Sequence, residues 1–402
     1  MALCLPGNTL KILFLSRWFP YPNNNGSKLR VMGLLRGLSI HHDVTLLSFS
    51  DQPNSKVDIS VLQSICNEVH VVSWKEYDPQ SWRARLGFFG SQPRFLIDTF
   101  SKDMANLIRL LVSKKKYDLI IASQLSMASY HSYFCGIPAI FEEVELGQFQ
   151  NNVVLTNGFL GYIRTGLTWL KLRKYMKKLL DSFCIYTVAS EQERQLLLKI
   201  SHHHGSKIYT IPNCIQLGDY QDINLAPVAN RLIYSGSFRY YANYEAMEWF
   251  VNEIFPIILE KIPETQLLIT GDQADLSLSS NDKNIFFTGY VDDIKSVIAS
   301  SSISLAPLLA GGGTRLKILE SMALGVPVVA TSKGVEGLDA VSGKHLLIAD
   351  SPRDFANKVI QLLNDPILYE HIKDNGRGLV REKYDCDVIM PFFLRLVDNA
   401  VL

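Results

Sequence analysis

Three consecutive glycines, Gly311, Gly312 and Gly313, are followed by Thr314, Arg315, Leu316, Lys317 and Glu320. A β-rich run, Ile303–Ala306, leads in, and Gly325 followed by the apolar run Val326–Ala330 leads out. The pattern predicts a strand, a glycine loop, a helix capped by Thr314 and running through Leu324, then another strand. Glycines let a ligand approach the backbone closely, and a helix start presents open N–H groups and positive dipole. Together they form an anion site, best matched to phosphate. Arg315 and Lys317 add cations at the helix end where the dipole disfavours them. A bound polyanion would offset that misfit. Glu320, three residues after Lys317, shares its helix face and could accept hydrogen bonds from ribose hydroxyls while Arg315 or Lys317 holds a diphosphate. The plainer reading is a glycine turn with solvated cations and a Glu–Lys pair.

A second constellation is Glu142, Glu143 and Glu145, after the strand run Ala139–Phe141. Adjacent carboxylates raise one another's proton affinity and can orient or activate a hydroxyl, and Glu143 is the nominated group; a solvated acidic loop is the alternative. His202, His203 and His204 sit before Gly205, and consecutive side chains point apart, so a surface turn is expected there and not a metal site. Residues 159–181 carry Arg164, Lys171, Arg173, Lys174, Lys177 and Lys178, with Asp181 as the one acid. Leu160, Ile163, Leu167 and Leu170 recur at helical spacing. Such a helix either packs its stripe on its own domain or makes peripheral contact with an anionic membrane.

These groups need elements to position them. Strand-like runs at Lys11–Leu15, Val44–Phe49, Val69–Trp74, Leu119–Ala122, Ala139–Phe141, Ile185–Ala189 and Ile208–Ile211 alternate with helical stretches in the first half. Leu232–Tyr234, Gln266–Thr270, Ile285–Phe287, Ile303–Ala306, Val326–Ala330 and Leu346–Ala349 do so in the second. Short apolar runs without strict alternation suit parallel strands covered on both faces. The rhythm pauses at Gln216–Arg231, a loop-like stretch. An α/β architecture of two Rossmann-like domains follows: residues 1–215, and residues 216–402, with the final helix able to pack back on the first domain. A ligand cleft between the carboxyl ends of the two sheets is expected.

The 402 residues, 47% hydrophobic and 20% charged, suit two packed domains and exclude disorder. Net charge is +1, yet residues 1–215 hold 24 Lys/Arg against 15 Asp/Glu, and residues 216–402 hold 16 against 24. The halves should therefore meet different partners. The basic half lacks an interleaved nucleic-acid module, so no nucleic acid is expected. No apolar run approaches the ~18 residues of a membrane span. The start lacks a basic and apolar leader, and six cysteines lie at no metal-ligand spacing. Reduced thiols and a cytoplasmic location, with the inner membrane face as the peripheral alternative, are expected.

The stretch Gly311–Thr331 resembles the nucleotide-sugar site of family 4 glycosyltransferases, group 1 enzymes of the two-domain GT-B fold. Arg17–Pro22 followed by Gly26, Tyr117–Ile121, Ala189–Glu191, Ile211–Asn213, Ser235–Ser237 followed by Asn243, Thr270–Asp272 and Thr288–Val291 continue the likeness over nearly the whole chain. The resemblance implies a retaining transfer from a UDP- or GDP-sugar to a glycan, lipid-linked or small-molecule acceptor. It implies no metal or other cofactor. Glu320 would bind ribose, and the backbone of Thr314, Arg315 and Leu316 the diphosphate. Gly289, Tyr290 and Val291 would lie along the base. Gly236, Ser237 and Arg239 would flank the phosphates, and Gly26 would give the diphosphate room near the acceptor side. The chain departs from the family where Gly312 replaces an acid, Ser123-Gln124 replaces a histidine, and Ser237 replaces an arginine. A nucleotide-sugar 2-epimerase or a non-catalytic nucleotide-sugar-binding subunit are the alternatives.

Overall fold

A computed structural model describes residues 9–22, 25–52, 57–147, 149–150, 159–223, 225–273, 276, 278, 282–311 and 315–402. Thirteen strands among them form two sheets, and every strand pairing is parallel. The first sheet holds β1 (Lys11–Ser16), β2 (Asp43–Ser50), β3 (Glu68–Ser73), β4 (Leu119–Ser123), β5 (Ala139–Glu142), β6 (Ile185–Val188) and β7 (Ile208–Thr210). The second holds β8 (Val228–Ser235), β9 (Gln266–Thr270), β10 (Ile285–Gly289), β11 (Ser301–Ala306), β12 (Val328–Ala330) and β13 (Leu347–Ile348). β4, β5 and β11 are buried along their whole length, as continuous apolar runs between helix layers must be.

Strand order is β3-β2-β1-β4-β5-β6-β7 in one sheet and β10-β9-β8-β11-β12-β13 in the other. The direction of winding reverses between β1 and β4, and again between β8 and β11. Connections leave those neighbouring strands toward opposite faces, which opens a crevice at their carboxyl ends. The chain divides into one unit of residues 1–212 with 390–402, and a second of 213–389. Within the first, the end of the helix Cys386–Val401 sets Met390 against Gly37 and the Phe392 ring 6.1 Å from that of Tyr209.

Three expectations need correction. The stretch Gln216–Arg231 is not featureless: it holds a 3-10 turn, Leu217–Tyr220, and the first four residues of β8. Val228 N donates to Ser300 O at 2.9 Å and Ser302 Oγ donates to Val228 O at 2.8 Å, so pairing with β11 extends a segment that local sequence leaves open. The cysteines are not all unpaired. Cys214 and Cys386 form a disulfide, because Ile215 bridges Asp385 and draws together segments 172 residues apart. No spacing rule reaches that far. Finally, Ile163, Leu167 and Leu170 are not the buried stripe of their helix: they stay 42–52% exposed, and the helix Phe159–Leu180 buries Leu172, Tyr175, Met176, Leu179 and Leu180 instead. Leu160 lies outside the described side chains. No helix among the described residues is long and apolar enough to cross a membrane.

Gly271 follows β9 with φ at +115°, and a Cβ there would stand 2.8 Å from the carbonyl carbon of Gly236. Strain and contact act together. Gly271→Ala should lower the stability of the second unit by about 2–4 kcal/mol in denaturant unfolding; an unchanged midpoint would remove this constraint.

Candidate functional site

The carboxyl ends of β8 and β9 and the start of the helix Leu316–Ala323 converge at the crevice of the second sheet. β8 ends in Tyr234 and Ser235, and its continuation Gly236 donates its N–H to Thr270 O at 3.0 Å. A Cβ on Gly236 would lie 2.8 Å from Lys317 Nζ and 2.9 Å from Asn243 Nδ2, so any larger residue would displace these side chains. Lys317 Nζ stands 4.2 Å over the Tyr234 ring and 3.4 Å from Asn243 Oδ1. Asn243 is itself fixed. Its Oδ1 accepts from Tyr234 OH at 2.8 Å, and its Nδ2 donates to Ser237 O at 2.7 Å.

The environment works against the charge on Lys317. Loss of water, and then the Arg315 guanidinium, bring its ammonium down to about 7, while Glu320 pulls the other way. Among the described residues no carboxylate reaches it at ion-pair distance. Arg315 occupies the cap position of the helix and no described side chain caps it. Its Nη2 donates to Ala310 O at 3.4 Å. Thr314, expected at that cap, lies outside the described residues, as do Gly312 and Gly313. Gly311, with φ at +102°, carries the chain up to them beside Tyr240 and Arg315.

One turn on, Glu320 Oε1 accepts from Tyr220 OH at 3.0 Å. Burial pushes the Glu320 carboxyl upward, against the pull of Tyr220, Lys295 and Lys317. Lys295 Nζ lies 4.3 Å over the Tyr220 ring and donates to Asp219 O at 2.9 Å, which holds the phenol in position. Ser237 Oγ donates to Asp272 O at 3.1 Å, and Arg239, an exposed side chain, pairs with the Asp272 carboxylate. Gly289 O accepts from Gly271 N at 2.8 Å, so Gly289, exposed Tyr290 and Val291 border the same strand ends. A cavity of about 440 Å³ lies at the opposite end of this sheet, where Pro227, Ala299 and Val326 precede β8, β11 and β12; it includes none of these groups.

The first sheet gathers a second cluster at its own crevice. Arg30, buried on the helix Gly26–Ser39, donates Nε–H to Glu142 Oε1 at 2.6 Å and Nη1–H to Ile211 O at 3.0 Å. Ser123 Oγ donates to the other Glu142 oxygen at 2.6 Å. Glu142 is thereby engaged on both oxygens. Glu143 turns away in the left-handed region, φ 54°, and accepts from Gln124 Nε2 at 2.9 Å; Gln124 also has positive φ, 69°. Burial pushes the Glu143 carboxyl up to about 8; Arg30 draws it down, and Glu142 and Glu145 push it further up. Gly26 opens the helix that carries Arg30, capped by Asn25 Oδ1 accepting from Lys28 N at 2.9 Å.

The structure thus assembles Lys317, Arg315, Glu320, Gly236 and Ser237 in one unit, and Gly26, Glu143 and Gln124 in the other. Reading the sequence passed over Tyr220, Tyr234, Tyr240 and Lys295. Nothing local marks them, since Tyr220 stands 100 residues from the carboxylate it serves. His202, His203 and His204 form a 3-10 turn, and among the described residues no His, Cys, Asp and Glu cluster could hold a metal.

Residues 229–365 match the family model of glycosyl transferases group 1. The chain is 22% identical over 390 residues to an uncharacterized 44.6 kDa protein in the cps region of Klebsiella pneumoniae, covering 93% of this chain and 96% of that one. A phosphatidyl-myo-inositol mannosyltransferase of Mycobacterium leprae is 28% identical over 156 residues, 37% of this chain and 41% of its own length. HepE of Anabaena, solved in complex with UDP and glucose, aligns over 97% of this chain and 100% of its own at TM-score 0.67 and 13% identity. A sucrose-phosphate synthase of Thermosynechococcus elongatus aligns over 97% and 98% at TM-score 0.67 and 18% identity. The two parallel sheets share the architecture of these GT-B structures.

A group near 7 makes a signed prediction. Above pH 7 the free Lys317 loses its proton, and a bound anion must restore it, so UDP affinity should fall as pH rises from 7 to 9 by up to about tenfold per unit. Lys317→Met should flatten that slope and weaken UDP binding by calorimetry, while its melting temperature at pH 6–7 stays equal or rises because a desolvated charge has been removed. A pH-independent affinity in the parent protein would contradict the charge assignment.

Proposed function

We propose that this chain, a glycosyltransferase of group 1 type, moves a sugar with retention from a UDP- or GDP-sugar to a hydroxyl of a glycan, lipid-linked or small-molecule acceptor. The observation that carries the reading is the desolvated Lys317 ammonium beside Arg315, at the start of a helix, with Glu320 one turn along. Two cations, Arg315 and Lys317, at a helix N-terminus suit a diphosphate. Glu320, aimed by Tyr220, suits a ribose. In this reading Gly311, Arg315 and Leu316 line the diphosphate, Gly236, Ser237 and Arg239 flank it, and Gly289 to Val291 run beside the base.

The bond that breaks joins the anomeric carbon to a diphosphate oxygen. Negative charge develops on that oxygen, and each fixed donor aimed at it is worth about 2.7–4 kcal/mol by analogy with oxyanion holes. The acceptor oxygen attacks the same face of the anomeric carbon, and its proton passes to the departing phosphate oxygen. No protein nucleophile is required. Glu143 holds its proton near neutral pH and orients the acceptor hydroxyl, with Gly26 opening the neighbouring helix. HepE of Anabaena was solved with UDP-glucose as well as with UDP, which supports a nucleotide-sugar donor. In this reading Arg315 and Lys317 supply the positive charge and no metal cofactor is used.

Arg315→Ala and Lys317→Ala should each lower turnover by about 100-fold or more, measured as release of nucleoside diphosphate, without loss of fold. Near-normal rates in both would sink the diphosphate role. Glu143→Ala should lower turnover about 10–100-fold and leave UDP affinity unchanged, since it sits in the other unit; weakened UDP binding would reassign it. Turnover should also survive a chelator, and donor incubated alone should yield no epimer.

A further inference from the structure

The first unit carries an apolar surface bordered by cations. On the helix Phe159–Leu180, Tyr162, Ile163, Leu167 and Leu170 are 42–58% exposed. At 100° per residue they share one strip about 140° wide, and exposed Lys174, Lys177 and Lys178 continue the same arc toward the helix end. The helix contains no acid. Against it lies the helix Trp82–Leu86 with its following turn, where Trp82 is 71%, Leu86 60% and Phe89 92% exposed. Lys171 Nζ joins the two segments, donating to Gly87 O at 3.1 Å and to Phe88 O. The turn is rigidly held: the Arg94 guanidinium covers the Phe88 ring at 3.8 Å and donates to Ala84 O and Pro79 O, both at 2.7 Å. Between Pro79 and Arg94 there is again no acid, but there are Arg83, Arg85 and Arg94.

We infer that this joint surface docks on an anionic lipid bilayer, with Trp82, Leu86 and Phe89 entering the headgroup boundary and the lysine end of the long helix lying over phosphates. Aromatic tips and cations without acids match that medium on both counts, apolar depth and surface potential. A second copy of this face would bring like charges together, which disfavours self-association. Water alone leaves four large side chains of the long helix and three of the short segment unsatisfied, more than scattered surface apolar residues explain. The inference adds to the proposed reading a site of action at a membrane, where a lipid-linked acceptor resides, and it can fail without that reading failing.

The test is co-sedimentation of the full chain with vesicles of equal parts phosphatidylcholine and phosphatidylglycerol, against phosphatidylcholine alone. UDP affinity and melting temperature are followed in the same samples. Binding to the mixed vesicles should exceed binding to the neutral ones by about tenfold or more and decline with salt. Trp82→Ser with Phe89→Ser, and separately Lys174→Glu with Lys177→Glu and Lys178→Glu, should each cut it at least about tenfold with UDP affinity and melting temperature unchanged. Absence of binding to the mixed vesicles while UDP still binds would overturn the inference. So would variants that bind as the parent does, or a concentration-dependent dimer that Trp82→Ser with Phe89→Ser abolishes.

Discussion

A cation drawn partly out of water and set beside a second cation is the constraint around which the second unit is arranged. Gly236 and Asn243 close on the Lys317 ammonium from one side, and the Tyr234 ring lies beneath it. Each of those neighbours is locked in turn. Tyr234 and Asn243 bond one another, Asn243 holds the Ser237 carbonyl, and Gly271 takes a left-handed conformation to lie against Gly236. The network supplies an aromatic face and amide dipoles, which soften the charge without neutralising it.

The first unit resolves the opposite problem, two adjacent buried carboxylates, by treating them unequally. Arg30 and Ser123 occupy both oxygens of Glu142, which is fully buried. Glu143 sits farther from the guanidinium, 3.8 Å from Arg30 Nε, and accepts from the neutral amide of Gln124. Burial therefore raises the proton affinity of Glu143, while its neighbour is held by the guanidinium and a hydroxyl. The positive φ of Gln124 and of Glu143 is the backbone cost of aiming both side chains inward from consecutive strands. Each unit thus ends with one group poised near neutral pH at the crevice of its own sheet.

That coincidence follows from topology. In a doubly wound parallel sheet, strand ends at the reversal point are the one location where side chains from several strands meet without a helix passing over them. β1, β4 and β5 deliver the Glu143 cluster, and β8 and β9 deliver the Lys317 cluster. The long helix Phe159–Leu180 shows the same dependence on context: its sequence offers more than one apolar strip, and packing against the first core selects Leu172, Met176 and Leu179 over Ile163 and Leu167.

Much of this was legible in one dimension. Apolar runs located the thirteen strands of the described residues, because most of these strands lie between helix layers and need no partner to declare themselves, and the glycine loop with Arg315, Lys317 and Glu320 marked a helix start carrying two cations by local sequence alone. The sequence determined the parallel α/β architecture and the residue types at the helix start. Tertiary structure alone decided that Tyr220 meets Glu320, that Cys214 meets Cys386, that β8 begins at Val228, and which strip of the long helix faces water. The reason is range: periodicity and capping act over one or two turns, whereas burial, proton affinity and pairing are set by groups a hundred or more residues away that only the folded sheets bring within a few ångströms.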